Sequence, residues 1–480
     1  YYLKSVLDKC EKAGLEFYAE VKEIYFTYDL LTKYPELRKS NGQLCATDPF
    51  WWQYLEDKYD EFFELFPGVA GISVSPGTRE SMVSFAANRC DCERCRSYDV
   101  DQWYHNLLEA MHNSTSKAGK RLVVRDFSYT KKHQFAMVEA ASGVGDDISM
   151  SMKMVPHDYY PVFPDNPAIG NTGKLGQWVE YDAWGQFFAL GVFPCSVSED
   201  MQGRMLRYYE KGVTGITLRT DWENMAQSST FCSFNMLNLV AGAMLSYDLD
   251  TPMSDIYDSW ARDYGLVSPL IQDSFPQVPY KVKDEDAIRK LHDIMVKGWA
   301  AIEKALHIRG HVFNRNSQIF DRYDLPYNIM TVFHSRDQWE PGASARVAPT
   351  NENIPVILEE KDEALEYAKQ VGALCEELIP VVGDENIKAY LRFLSKGLVL
   401  YVEGFRLEAE TLVYAKRAED GDPAYRRKAL DSLSAYDGLA EKYRDLVVAK
   451  GYSGIVEYML DGDRLIRYRD AVAKALGAVK

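Results

Sequence analysis

From residue 15 to about 220, short apolar runs alternate with longer stretches of helical periodicity. The strand-like runs are 15–24, 69–75, 121–127, 148–154, 177–183, 191–195 and 213–220. Helical stretches at 51–65, 102–118 and 201–211 fall between several of them. Alternating β and α elements over such a length imply a parallel sheet with crossover helices. An open doubly wound sheet would carry a glycine-rich phosphate loop after an early strand, and the sequence has none. The pattern therefore predicts an α/β fold of the (β/α)8 TIM barrel type. Seven strand candidates read as strands two to eight, with the first expected ahead of Tyr1. So wide an open edge needs cover from a missing segment or a second copy, which brings in a homodimer as an expectation.

Inside the strands the period is two. In Ile148-Ser149-Met150-Ser151-Met152-Lys153-Met154 the Ile/Met face should meet the outer helices, leaving Ser149, Ser151 and Lys153 toward the interior. By the same rule Ser73 and Ser75 point in and Ile72 and Val74 out. Trp178, Glu180 and Asp182 point in, as do Thr217 and Arg219. The run 121–127 is mixed on both faces and its phase stays open. Polar groups thus gather toward the strand C-terminal ends, where barrel enzymes hold their active sites.

After about Tyr264 the strand signal stops. Helical periodicity marks 284–308, 357–378, 384–418, 423–450 and 455–476, with Asp384 and the pair Asp422-Pro423 as start signals. The stretch 312–353, rich in proline and aromatics, is the one long irregular connection. The expected division is a catalytic barrel at 1–265 and an all-α domain at 266–480.

Composition narrows the function. The 480 residues are 46% hydrophobic and 26% charged, ordinary for a globular chain with a real core. No run approaches the roughly 18 apolar residues of a membrane span; residues 237–245, broken by Asn238 and Gly242, suit a buried helix. Acidic residues number 71 against 55 basic, a net charge of −16, which argues against nucleic acid or an anionic membrane as partner. Eight cysteines without a disulfide framework point to a reducing compartment, favouring a cytoplasmic setting over a periplasmic or secreted one. The opening Tyr1-Tyr2-Leu3-Lys4 reads as that of a fragment or processed form.

Four places combine charge with a strand end. Residues 71–80 run from a buried strand through a Pro-Gly turn to Arg79-Glu80; Glu80 is either catalytic or a loop glutamate paired with Arg79. Residues 153–159 set inward Lys153 before a proline turn and Asp158, with His157 reading as structural rather than as a base. Glu180 lies inside the barrel, where a charge is costly unless paired or functional. Arg125 either aims at a substrate anion or forms a local ion pair. Carboxylates converging on a mouth lined with tryptophans are the apparatus of glycoside hydrolysis. One acid protonates the leaving oxygen while a carboxylate attacks or activates water. Neither a G-x-S-x-G elbow nor an H-E-x-x-H motif competes. Cys90, Cys92 and Cys95 have spacing for three zinc ligands, but structural zinc takes four. Cys45 or His105 could add the fourth only through folding. Without it, the expectation is no cofactor, a reduced loop-stabilising cluster and less than one equivalent of zinc.

These segments, in this order, resemble the catalytic barrel of the α-glucuronidases, glycoside hydrolase family 67. The resemblance begins with Ala46-Thr47-Asp48-Pro49, Trp51-Trp52 and Phe66-Pro67-Gly68-Val69-Ala70-Gly71. It continues through Val124-Arg125-Asp126-Phe127, Lys153-Met154-Val155-Pro156-His157-Asp158-Tyr159 and Gln177-Trp178-Val179-Glu180-Tyr181. It closes on 212–220, Asp221-Trp222-Glu223-Asn224 and the helix at 235–247, covering roughly residues 10–265. The resemblance implies an exo-acting, inverting hydrolase of glycans that end in a uronic acid or related sugar. Glu80 would be the general acid, with Asp158 and Glu180 activating water. Arg125, Lys153, Trp178, Arg219 and Trp222 are the candidate substrate contacts. The acid's role calls for a loop that shields Glu80 from compensating positive charge in the working state. Where the family carries a lysine ahead of its acid, this chain reads Val74-Ser75-Pro76, and the Cys-x-Cys-x-x-Cys loop is a second departure. Two other readings stay open: a hexosaminidase-like hydrolase of the same barrel superfamily, and a non-catalytic glycan-binding protein that keeps the barrel.

Overall fold

The computed structural model describes residues 1–478 except 40–41, 78–79, 129, 223–227, 272–276, 448–451 and 453. Arg79, Glu223 and Asn224, named above, lie outside the described residues. Six of the expected strands form: β1 (Phe17–Val21), β2 (Val69–Val74), β3 (Arg121–Arg125), β4 (Ser149–Lys153), β5 (Gly176–Asp182) and β6 (Gly215–Arg219). They make one parallel, curled sheet in sequence order. Its register sets Val21 beside Val74, Val74 beside Val124, Arg125 beside Ser151 and Lys153 beside Glu180.

The alternation in sequence becomes two faces. Ile72, Val74, Leu122, Val124, Met150, Met152 and Val179 are all buried, each such side chain contributing roughly 1.5–3 kcal/mol by leaving water. The crossover helices follow from equally plain signals. Phe50–Leu65 buries Trp51, Leu55, Tyr59 and Phe63, one residue per turn. Val100–Lys117 starts where the Asp99 side chain accepts a hydrogen bond from the Gln102 amide at 2.8 Å. Thr130 does the same for Lys131–Val144, from the His133 amide at 3.2 Å.

Residues 191–195 do not form the expected strand. Ala189, Leu190 and Gly191 take φ values of 75°, 52° and 67°, which turns the chain out of extended geometry. Side chains then take the backbone groups that a ladder would pair. The Cys195 amide donates to Asn235 Oδ1, Asn238 Nδ2 donates to the Cys195 carbonyl, and the Tyr390 hydroxyl donates to the Val192 carbonyl. The apolar run is buried, but burial rather than sheet pairing is what it encodes.

The chain divides into two compact units: Tyr1–Asp158 with Asp165–Glu180 and Arg207–Thr217, and Tyr159–Pro164 with Tyr181–Leu206 and Leu218–Lys480. The C-terminal region of the second is helical: Glu285–Leu306, Asn353–Leu378, Glu385–Glu419, Pro423–Ser432, Ala435–Val447, Gly454–Met459 and Gly462–Ala475. Asp284, Asp384, Asp422 and Asp461 cap four of these through their side chains. Residues 423–450, expected as one helix, break after Ser432. There the Ser432 and Ser434 hydroxyls donate to the Ala429 and Asp431 carbonyls, both at 2.8 Å, a local alternative to helix continuation. The helix expected to reach residue 308 ends at Leu306, and β7 (His307–Ile308) pairs with β8 (His311–Val312) as a hairpin. Arg309 and Gly310 both have positive φ, the requirement of a two-residue type I′ turn.

Gly298, inside the helix Glu285–Leu306, packs so closely on Pro194 that a Cβ would fall onto the Pro194 carbonyl oxygen. Gly438, in the helix Ala435–Val447, faces open space. Gly298→Ala is expected to lower stability in urea unfolding by about 1–3 kcal/mol. Gly438→Ala should raise it by roughly 0.5–1 kcal/mol. Equal effects would contradict this packing.

Candidate active site

Charged side chains from β1 to β5 meet on the inner face of the sheet. Arg125 ends β3, and its guanidinium grips Glu180 of β5 with two bonds, Nε to Oε2 at 2.8 Å and Nη2 to Oε1 at 2.9 Å. Arg125 Nη1 also donates to Glu20 Oε1 and to Ser75 Oγ, each at 3.3 Å. This settles the open phase of β3: Arg125 turns inward and pairs two strands away rather than with its neighbour Asp126. The Asp126 carboxylate instead accepts bonds from the Ser128 amide at 2.9 Å and from Gln134 Nε2 at 2.5 Å, and is buried.

The residues after β4 supply the next acid. Lys153, with a side chain only 1% exposed, donates to Asp158 Oδ1 at 3.1 Å and to the His157 carbonyl at 3.3 Å. His157 has φ 78°, a left-handed conformation unusual for a residue with a Cβ. Lys153 thus draws the turn back over itself and orients Asp158, and His157 serves through its backbone. The third acid, Glu80, follows β2. Its side chain is 43% exposed and pairs with Lys22 at 2.6 Å. Lys22, just beyond β1, is the cation that meets Glu80 among the described residues.

Lys22, Arg125 and Lys153 share one more neighbour. Their cationic groups stand 5.7, 5.6 and 4.1 Å from the centre of the Phe127 ring, within reach of its electron-rich face. Four carboxylates, Glu20, Glu80, Asp158 and Glu180, thus surround three cations and an aromatic plate at the strand C-terminal ends. Glu20, Lys22 and Phe127 were not singled out from the sequence. The signal existed: Tyr18, Glu20 and Lys22 alternate with Phe17, Ala19 and Val21, marking β1 as two-faced like its neighbours.

Trp178 lies two residues before Glu180 and away from this charge. Its ring meets Tyr18 edge-on at 5.8 Å, and a Cβ on Gly215 would stand 2.9 Å from its indole. Tyr18 similarly needs Gly71, whose Cβ would approach its ring to 2.8 Å. The two aromatics fill the inner face beneath the acids, on strands kept thin by glycine.

Arg219, Asp182 and Trp222 belong to the second unit. Asp182 is fully buried and accepts bonds from the amides of Trp184, Gly185 and Gln186 at 3.0, 2.9 and 2.8 Å. Burial pushes its carboxyl up, against Arg219 at 3.8 Å and the three amides, which pull it down. Arg219 bonds Gln186 and lies over the Tyr159 ring at 5.2 Å. Trp222 is buried beside Asp221, which bridges to Ser229. As for a metal, Cys90, Cys92 and Cys95 meet Cys45, not His105.

No family of known sequences matches the chain, and no curated protein matches it. The solved structure of CpGH84D, a glycoside hydrolase, aligns over 99% of this chain at 13% identity with a TM-score of 0.38. The chain spans 66% of the length of that protein. A likeness of this size carries no argument about chemistry.

The Arg125–Glu180 pair is buried on both sides, so each partner is worth most to the other. Arg125→Met leaves Glu180 without its bidentate partner and should cost about 3 kcal/mol in denaturant unfolding. Glu180→Gln alone should cost a similar amount, whereas the double variant should regain most of the loss. Strictly additive losses would contradict the pairing.

Proposed function

We propose that this chain is a glycoside hydrolase of the α-glucuronidase type, releasing a terminal uronic acid or related sugar with inversion. In this reading residues 1–265 form the catalytic part on a (β/α)8 barrel plan and residues 266–480 form a helical domain. The observation that carries the reading is the ring of Glu80, Asp158 and Glu180 around Lys22, Arg125, Lys153 and Phe127.

The roles follow from the partners. Glu180 is fixed in place by the two bonds from Arg125. Together with Asp158, which Lys153 orients, it can hold a water against the anomeric carbon. Glu80 is the most exposed of the three acids and pairs with Lys22. A uronate entering the ring would take Lys22 as its own counter-ion. Glu80 would deliver a proton to the leaving oxygen. Water attacks as the glycosidic bond breaks; its proton passes to the base pair while the Glu80 proton leaves with the aglycone. Of the three cations over the Phe127 plate Lys22 is the most exposed, and it is the one a sugar carboxylate would meet. Trp178, Arg219 and Trp222 remain candidate contacts at the edges of this reading.

The test is Glu80→Gln. On substrates with poor leaving groups turnover should fall by about 10²–10⁴-fold, with a far smaller loss on activated aryl glycosides that need little protonation. Proton NMR of the first-formed product of the unaltered protein should show the inverted anomer. Full activity in the variant, retention of configuration, or sugar binding without turnover would overturn the assignment.

A further inference from the structure

The four thiols that folding collects stand apart from the carboxylates and are independent of the hydrolase reading. The sulfur atoms of Cys45, Cys90, Cys92 and Cys95 all lie within 4.8 Å of one another. Cys45 is 3.5 Å from Cys95 and 3.8 Å from Cys92, and Cys90 is 3.6 Å from Cys95. A tetrahedral zinc with bonds near 2.3 Å has sulfur–sulfur edges of about 3.8 Å, whereas a disulfide needs about 2.05 Å. The spacing fits four ligands around one centre and is too wide for bonded pairs.

The surroundings are built for thiolates. Cys92 caps the short helix Glu93–Ser97, and the Cys95 amide donates to Cys92 Sγ at 3.4 Å. The Thr47 hydroxyl stands 3.2 Å from Cys95 Sγ and 3.4 Å from Cys45 Sγ. An outer layer fixes the loops: the Trp51 indole donates to the Cys45 carbonyl at 2.8 Å and the Trp103 indole to the Ala46 carbonyl at 3.0 Å. Arg94 donates to the Thr47 carbonyl at 3.0 Å and Arg89 to the Cys95 carbonyl at 3.2 Å. These guanidiniums also offset the double negative charge that four thiolates leave around a divalent ion.

We propose that Cys45, Cys90, Cys92 and Cys95 hold one structural zinc ion. Cys45 lies between β1 and the helix Phe50–Leu65, and the other three between β2 and Val100–Lys117. The ion therefore clasps two successive strand-to-helix loops. The second of these carries Glu80 and returns to Ile24 through the Val83 amide at 3.4 Å. All four ligand positions are protein sulfur, so the site has no open coordination and serves structure. Binding converts thiols to thiolates and releases their protons to solvent.

The test uses the whole chain, produced with zinc in the medium and purified under reducing conditions without chelator. Elemental analysis should find about one zinc per chain. Cys45→Ser and Cys90→Ser should each lose it, while Cys10→Ser, a cysteine outside the cluster, should keep it. Because a ligand variant can fail to fold, cobalt is loaded into the unaltered protein in parallel. Intense thiolate-to-cobalt charge-transfer bands with visible tetrahedral d–d bands are expected. Zinc below about a tenth of an equivalent, iron in its place, two disulfides by mass, or a cobalt spectrum without thiolate bands would each overturn the proposal.

Discussion

A guanidinium and a carboxylate that face each other two strands apart, both removed from water, set the terms for the rest of the first unit. Arg125 and Glu180 reach across β4 to form a bidentate pair, and burying either alone would cost several kcal/mol. The pair therefore requires β3, β4 and β5 to keep one register and one phase, since a slip of one residue would send a charge to the helix-facing side. Lys153, beside Glu180 in that register, meets the same demand through Asp158. The turn after β4 adopts a strained backbone at His157 in the process.

Beneath this charge the inner face changes character. Tyr18 and Trp178 fill it, with Gly71 and Gly215 giving the rings room against neighbouring strands. The acids consequently stand on a rigid apolar floor, and their ion pairs gain from the lower dielectric there. The loop bearing Glu80 has no such floor. It depends on its return to Ile24 and, in the account proposed above, on the four-cysteine clasp that ties it to the preceding loop. In the proposed roles the paired side chains of β3–β5 would be the base side and the exposed Glu80 the acid.

Much of this was legible along the chain, and the exceptions have physical causes. Strict alternation in 148–154 and 177–183 announced both the strands and the inward Lys153 and Glu180, because a half-polar strand has only one way to face a core. The run 191–195 misled because a short apolar stretch encodes burial, and side chains of Asn235, Asn238 and Tyr390, distant in sequence, supply its hydrogen bonds. The hairpin at His307–Val312 went unseen since two-residue strands carry no periodicity. Glu20 and Lys22 were passed over although β1 alternates. Their importance comes from Arg125 and Glu80, which meet them only after folding. Cys45 is the clearest case: 45 residues from the Cys90 trio, it joins them through loop packing that no local spacing encodes.

The claim that unites these observations is that the ring of acids and cations around Phe127 is a site for hydrolysing an anionic sugar. The direct measurement is a screen for released monosaccharide from a matched panel of uronic-acid-capped oligosaccharides, their neutral counterparts and N-acetylhexosaminides. Release of the uronic acid alone, lost when Lys22 is replaced by Gln, is the predicted result. Release of a neutral sugar or an N-acetylhexosamine in preference, or no release from any substrate, would contradict it.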